Sequence, residues 1–335
     1  MRRVLKIYLE KPELAGVVLL ALLVVLFEFT SSGAFLSYEN MRGVLGLLPE
    51  MALVAIGVTV LMIAGEFDLS VGSVFALAPM VMAVSMVGGV PFIAAVLLGL
   101  AAASAVGFLN GFITLRFGIP SFITTLGMLF VARSVTVVIS GGFPPVLPSD
   151  IPSWIFTYYV GLIRLSMFWF AVIAILLAAV LSLTNFGNWI KSTGGQIEAA
   201  AAMGISTNAV KMICFVQCAV LAGFAGIIQV LRLGSPLPSL GEGLELQAVA
   251  AAVIGGTSLY GGVGTVLGAI VGALLIRVID NGLVLSHVDA NWFKFAIGAL
   301  TVFAVVANSW LRRTARRIKV QVDNEPAHHR VSRPA

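Results

Sequence analysis

Residues 44–68 read VLGLLPEMALVAIGVTVLMIAGEFD, a long apolar run that ends at a charged break. About 20 predominantly apolar residues cross the ~30 Å hydrocarbon core of a bilayer as a helix, and residues 44–64 meet that length. Similar runs recur along the chain, in which 59% of the residues are hydrophobic and only 10% are charged. The runs are continuous rather than alternating, which favours helices over the strands of a membrane barrel. The sequence therefore predicts an all-α, polytopic transmembrane helical bundle.

Turns rich in glycine, proline or charge divide the apolar runs into about ten expected spans. These are residues 14–30, 44–64, 69–87, 92–115, 119–140, 165–183, 210–231, 246–257, 265–279 and 292–310. Basic residues cluster before the first span, between positions 2 and 11, and after the last one, between positions 312 and 319. Positively charged flanks stay on the cytoplasmic side of a membrane. We therefore expect an even number of spans, with both termini in the cytoplasm.

Three sections of the chain follow from this topology. We expect residues 1–13 to be a cytoplasmic N-terminal segment, residues 14–310 a transmembrane domain surrounded by lipid, and residues 311–335 a basic, disordered cytoplasmic tail. The formal net charge is +5, but its position at the ends of the membrane domain favours orientation in the bilayer over binding of nucleic acid. Cys214 and Cys218 lie one helical turn apart in an apolar run and are expected to be buried thiols, not a disulfide or a metal pair.

A polar, alanine-rich segment separates two of the expected spans. Residues 194–206 read GGQIEAAAAMGIS and lie within a loop, residues 184–208, that the even topology places in the cytoplasm. The segment is too polar at its ends to remain in lipid and too short to be a domain. We expect a short helix that lies outside the bilayer and contacts a partner.

Two carboxylates, Glu66 and Asp68, lie at the break that follows residue 64. Carboxylates at a break between membrane helices are costly unless they face water, protein partners or backbone donors. Asp68 precedes Leu69 and Ser70, so its oxygens can accept hydrogen bonds from the amides that open the next helix. A structural cap and the lining of a substrate path or gate are both consistent with this pattern, and the two roles can hold together.

A weak internal repeat links this break to a second one. Residues 65–69 and residues 241–245 both place acidic residues before a short apolar run, and the second break carries Glu242 and Glu245. Since the expected topology puts the two breaks on opposite faces, they fit an inverted repeat, in which such breaks flank the transport path. Chance similarity is the alternative.

Polar side chains inside the spans are candidates for contacts with a polar solute. Asn110, Thr124 and Thr125 have groups that suit sugar hydroxyls, although hydrogen bonding between helices is the commoner explanation. We expect the acidic residues at breaks and span ends rather than in mid-span, which disfavours a proton-driven transporter. The sequence carries no catalytic constellation, metal-binding spacing or phosphate-binding loop, so we expect neither an enzyme nor a metal or nucleotide site.

Three blocks of sequence resemble the permeases of ribose-type ABC importers. The first block is residues 65–73, the second combines residues 110–111 with residues 118–127, and the third is residues 242–259. The blocks occur in order and at suitable distances, so the resemblance extends over residues 44–308. It implies that the membrane domain is a permease subunit. Such a subunit moves a small neutral sugar or polyol into the cytoplasm, with ATP hydrolysed by a separate subunit.

The resemblance also implies a role for the alanine-rich segment. Glu198, Ala199, Ala200 and Gly204 match the loop that docks into the nucleotide-binding subunit in this family, and Gln196 stands where the family often has asparagine. We therefore name residues 184–208 the coupling loop. The candidates for the translocation path or gate are Glu66, Asp68, Ser70, Asn110, Thr124, Thr125, Glu242 and Glu245.

The implied assembly lies in the bacterial inner membrane. It contains a second permease, either an identical copy or a paralogue, two ATP-binding subunits and a periplasmic sugar-binding protein. ATP is bound by the partner, so no cofactor is expected on this chain. The alternative is a self-sufficient secondary transporter or channel for small polar solutes. Glu66 stands where the family commonly has glycine, a departure that lies near the expected path.

Overall fold

The computed structural model describes residues 13–289, 292–303 and 306. The expected tail, and the N-terminal segment up to residue 12, lie outside these residues. The helices in chain order are α1 (Glu13–Thr30), α2 (Tyr38–Ile63), α3 (Val71–Val87), α4 (Phe92–Phe117), α5 (Ser121–Ile139), α6 (Trp154–Thr157), α7 (Leu165–Leu183), α8 (Asn185–Gly195), α9 (Ile197–Ala202), α10 (Thr207–Leu233), α11 (Leu244–Ile254), α12 (Val266–Leu285) and α13 (Trp292–Phe303). A short antiparallel hairpin of β1 (Tyr159–Val160) and β2 (Ile163–Arg164) precedes α7.

Six of the described helices are long and apolar enough to cross a membrane, namely α2, α4, α5, α7, α10 and α12. Shorter apolar helices occupy the positions of the other four expected spans, namely α1, α3, α11 and α13. The expected helical membrane bundle is thus confirmed. A count of ten spans depends on these four shorter helices.

Helix α2 is the central helix of the bundle. In its most apolar window 89% of the residues are buried, against 22% to 28% in the windows of α4, α5 and α7. Helices α7, α10, α11 and α12 pack around it. Gly57 brings α10 close, because a Cβ at this position would lie 3.3 Å from the backbone of Cys218. Cys218 and Cys214, one turn earlier in α10, are buried free thiols, as the sequence predicted.

One acidic residue contradicts the expectation that carboxylates lie at breaks and span ends. Glu50 lies within α2 and is 2% exposed. Its carboxylate pairs with the guanidinium of Arg164, which is 1% exposed at the end of β2. Arg164 Nε also donates to Ser166 Oγ over 2.7 Å. A carboxylate is tolerated in the interior of the bundle because it is paired with a guanidinium, and this ion pair holds the hairpin against α2.

Candidate functional site

The coupling loop forms two short helices, α8 and α9, between α7 and α10. Thr184 caps α8, since its Oγ1 accepts a hydrogen bond from the Gly187 N–H over 3.2 Å. Gln196 has an extended backbone and separates α8 from α9. Gly204 follows α9 with a φ of +80°, a left-handed conformation that glycine adopts at little cost. The short helix expected from the alanine-rich segment therefore corresponds to α9.

Helix α9 turns one face to the bundle and leaves the other exposed. Ala200 is buried, whereas Gln196, Glu198 and Ala199 are exposed. Met203, directly after the helix, is 83% exposed. The residues singled out in the sequence thus divide into one inward position, Ala200, and an outward set around Glu198.

Two grooves border α9. The first has a volume of about 580 Å³ and includes Glu198, Lys211 and Tyr260 in its lining. The second has a volume of about 480 Å³ and includes Ala200 and Met203. Charged and phenolic side chains therefore help to line the first groove, whereas the lining of the second groove contains no charged residue.

Three chain segments meet next to α9 through backbone atoms. Gly194, near the end of α8, lies against the carbonyl of Ile63, and a Cβ at Gly194 would collide with that oxygen. The Gly262 N–H donates to the same carbonyl over 2.9 Å, and Gly261 lies against the backbone of Gly194. We call this contact of Gly194, Gly261 and Gly262 with Ile63 the glycine junction. It joins the coupling loop to the end of α2 through backbone atoms, with no intervening side chain.

An ion pair joins the α2–α3 connection, residues 64–70, to the first turns of α10. Glu66 Oε1 lies 2.6 Å from Lys211 Nζ, and both side chains are 12% exposed. Glu66 was a path or gate candidate, whereas sequence reasoning missed Lys211 as a functional residue. The available signal was a lone lysine just beyond the coupling loop. Only the folded chain brings this lysine to a residue 145 positions earlier.

Three path candidates come together in a fully buried group that we call the Asp68 network. Asp68 Oδ1 accepts hydrogen bonds from the Ser70 N–H over 2.7 Å and from the Ser70 hydroxyl over 2.6 Å. Asn110 Nδ2 donates to Asp68 Oδ2 over 3.3 Å and to Ser70 Oγ over 2.8 Å. Burial raises the pKa of the Asp68 carboxyl, and the hydrogen bonds from Ser70 and Asn110 oppose that rise. Asp68 thus fixes the residue directly before α3 rather than an amide inside that helix, and Asn110 ties this start of α3 to α4.

Helix α5 holds the α2–α3 connection from another side. The Leu69 N–H donates to Thr125 Oγ1 over 3.1 Å, and the Phe67 N–H donates to Ser121 Oγ over 3.1 Å. Thr125 is fully buried. The neighbouring Thr124 has a buried hydroxyl with no hydrogen-bond partner among the described residues. Thr125 therefore supports the connection, whereas Thr124 does not.

The two remaining candidates lie apart from this network, at the start of α11. Glu242 is exposed, and Glu245 is partly exposed and lies against Gly72 of α3. Arg133 of α5 donates to the Gly72 carbonyl over 3.2 Å and to two carbonyls of the connection before α11 over 2.5 and 2.7 Å. In the part of the chain that the structure describes, no hydrogen bond joins Glu242 or Glu245 to Asp68. The eight candidates thus form more than one site.

The chain is similar to permease components of import systems. Residues 40–305 match the family described as branched-chain amino acid transport system / permease component. The ribose import permease protein RbsC of Escherichia coli K12 is 36% identical over 295 residues, which cover 86% of this chain and 91% of that protein. The autoinducer 2 import system permease protein LsrC of Photorhabdus luminescens is 32% identical over 291 residues, or 85% of this chain and 86% of that protein. No solved structure shows significant similarity.

Proposed function

This chain belongs to the family of permease components of ABC import systems, and we propose that it forms the membrane path of an ATP-driven importer for a small neutral sugar or polyol. The family consists of transporters rather than enzymes, as the sequence predicted. The observation that carries the proposal is the exposed helix α9, which directly follows α8, the helix whose Gly194 contacts the end of the central helix α2 at the glycine junction. A partner that pushes on α9 therefore acts on the centre of the bundle.

The partner on α9 is an ATP-binding subunit in this proposal. The outward face combines one carboxylate, Glu198, with the small Ala199 and the apolar Met203, so a protein cleft with partly apolar walls can receive it. Closure of two ATP-binding subunits would then move α9 and shift the bundle between two conformations. A second permease copy or a paralogue and a periplasmic sugar-binding protein complete the assembly.

The proposed topology has ten crossings of the bacterial inner membrane, with both termini in the cytoplasm. The short helices α1, α3, α11 and α13 supply the four crossings beyond the six long ones. The exposed apolar faces of α4, α5 and α7 contact lipid or the second permease. Residues 64–70 and residues 241–245 both carry carboxylates ahead of a short apolar helix, which supports the inverted repeat.

A neutral cargo suits the charges of the described bundle. The carboxylates of Glu50 and Glu66 are each neutralised by a basic partner. Glu242 and Glu245 retain exposed oxygens that can accept hydrogen bonds from the hydroxyl groups of a passing sugar. The names of two relatives, which specify import of ribose and of autoinducer 2, support a small polar cargo.

Reconstitution into liposomes tests this function. The chain is inserted alone or together with its ATP-binding subunits and binding protein, and uptake of a mixture of labelled pentoses and hexoses is measured with and without ATP. We expect uptake only when all partners and ATP are present. Uptake by the chain alone without ATP would contradict the proposal and identify a self-sufficient transporter or channel.

A further inference from the structure

We propose that Lys211 is a positioning residue for transport. Through its ion pair with Glu66 it holds the α2–α3 connection to the first turns of α10, directly after the coupling loop, so that movement of α9 is transmitted to the Asp68 network. The inference rests on the proposed function, because it assumes that a partner moves α9. It goes beyond that function by assigning a role to a residue outside the coupling loop.

Two contacts attach the coupling loop and the first turns of α10 to one short stretch of chain, residues 63–66. Helix α9 lies between the two contacts in sequence. Before α9, Gly194 contacts Ile63 and lies next to Gly65. After α9, Lys211 pairs with Glu66. A load applied to α9 is therefore shared by both contacts. If either contact is lost, the coupling loop can rotate about the remaining one. The α2–α3 connection then no longer moves together with the coupling loop.

The Glu66–Lys211 pair is placed where it can both form and separate. Both side chains are 12% exposed, and Lys211 lines the first groove beside α9. Water therefore screens this pair more than it screens the Glu50–Arg164 pair, whose side chains are only 1% to 2% exposed. The Glu66–Lys211 pair is therefore suited to a contact that changes during a transport cycle, whereas the Glu50–Arg164 pair is suited to a permanent contact.

The connection passes directly from the ion pair into the contacts of three helices. The residue after Glu66 donates its N–H to Ser121 at the start of α5, and the next one is Asp68, which Asn110 ties to α4. A displacement of Glu66 therefore acts on the start of α3 and on α4 and α5 together. Among the described residues, no other side-chain hydrogen bond or ion pair joins residues 184–211 to residues 64–70.

Four variants of the complete transporter test the role of Lys211. Lys211→Met removes the charge at similar volume, and Lys211→Arg keeps the charge. The exchange of Glu66→Lys with Lys211→Glu rebuilds the pair in reverse. Lys294→Met is the matched control, because this exposed lysine of α13 lies outside the coupling loop and forms no ion pair with the described residues. Each transporter, with its ATP-binding subunits and binding protein, is placed in liposomes, and the uptake of labelled pentoses and hexoses is measured per ATP hydrolysed.

We expect Lys211→Met to hydrolyse ATP within about twofold of the unaltered transporter while moving at least about tenfold less sugar per ATP, as loss of a partly buried ion pair allows. Lys211→Arg and the exchange variant should recover at least about half of the lost coupling, and Lys294→Met should leave coupling unchanged. Recovery in the exchange variant distinguishes pairing from a general need for a lysine.

An unchanged ratio of sugar to ATP in Lys211→Met would overturn the inference. If Lys211→Met fails to assemble with the ATP-binding subunits, the exchange variant is the deciding test. An exchange variant that assembles but remains uncoupled would also overturn the inference. An exchange variant that restores both assembly and coupling would support it. Absence of ATP-dependent uptake by the unaltered transporter would instead refute the proposed function, so the two failures are distinguishable.

Discussion

Gly194 of α8 lies against the carbonyl of Ile63 at the end of α2, so closely that a Cβ on the glycine would collide with the oxygen. The Gly262 N–H donates to the same carbonyl over 2.9 Å. The coupling loop is therefore in direct backbone contact with the most buried of the six long helices. This contact underlies the first prediction.

Replacing Gly194 by alanine should separate α8 from α2. Overpacking against a backbone that cannot yield costs ~1–3 kcal/mol, so we expect ATP-driven uptake to fall about tenfold. Gly195→Ala is the matched control, since a Cβ there would lie 3.8 Å from Gly262, an ordinary contact. Uptake in reconstituted liposomes is the measurement, and an equal loss in both variants would contradict this explanation.

Replacing Met203 by glutamate should weaken binding of the ATP-binding subunit without unfolding the chain. Met203 is 83% exposed and lines the second groove beside α9, so a charge there would be buried by a docked partner but not by the bundle. Co-purification with the partner subunit measures binding. Asn188→Glu adds the same charge at an exposed position of α8 outside both grooves and should bind normally. Normal binding by Met203→Glu would exclude the second groove from the docking surface.

Replacing Asn110 by alanine should destabilise the bundle. The variant loses hydrogen bonds to Asp68 and Ser70 and leaves buried acceptors unpaired, which costs about 1–3 kcal/mol. We expect a lower midpoint of thermal unfolding in detergent. Ser104→Ala is the control on the same helix, because the Ser104 hydroxyl donates to Leu100 of α4 itself. Equal midpoints for the two variants would speak against the network as a structural element.

The stability of the bundle should depend on Glu50 and Arg164 neutralising each other, and not on the presence of charges at these positions. Glu50→Gln or Arg164→Met alone leaves one buried charge without its counterpart and should cost ~3–5 kcal/mol of stability. The double replacement Glu50→Met with Arg164→Met removes both charges and should recover most of the loss. Thermal unfolding of the three variants in detergent tests this, and a double variant as unstable as the single ones would refute it.

The membrane bundle and the short helix α9 were predictable because they are encoded locally. A run such as residues 44–64 requires a lipid or protein interior whatever surrounds it, and the segment 194–206 cannot remain there. The glycine at position 204 likewise marks a helix end by its own conformational freedom, and its φ is +80°. These features need no knowledge of distant residues.

The ion pairs were not predictable, because their partners are distant in the chain. Glu50 and Arg164 are 114 positions apart, and Glu66 and Lys211 are 145 positions apart. A single charge is compatible with water, with a lipid headgroup or with any opposite charge, and only the packing of helices selects among them. Glu50 itself is visible inside the expected span 44–64, against the expectation about mid-span carboxylates, but the sequence does not reveal that Arg164 reaches it.

The glycine junction consists of backbone atoms alone, so no side-chain substitution there can adapt the chain to a different ATP-binding subunit. Adaptation to a different ATP-binding subunit has to occur at outward positions such as Gln196 and Met203, where substitutions meet no backbone of the bundle. A chimaeric transporter built on this chain would therefore keep Gly194 and Gly262 and redesign the exposed turn around α9.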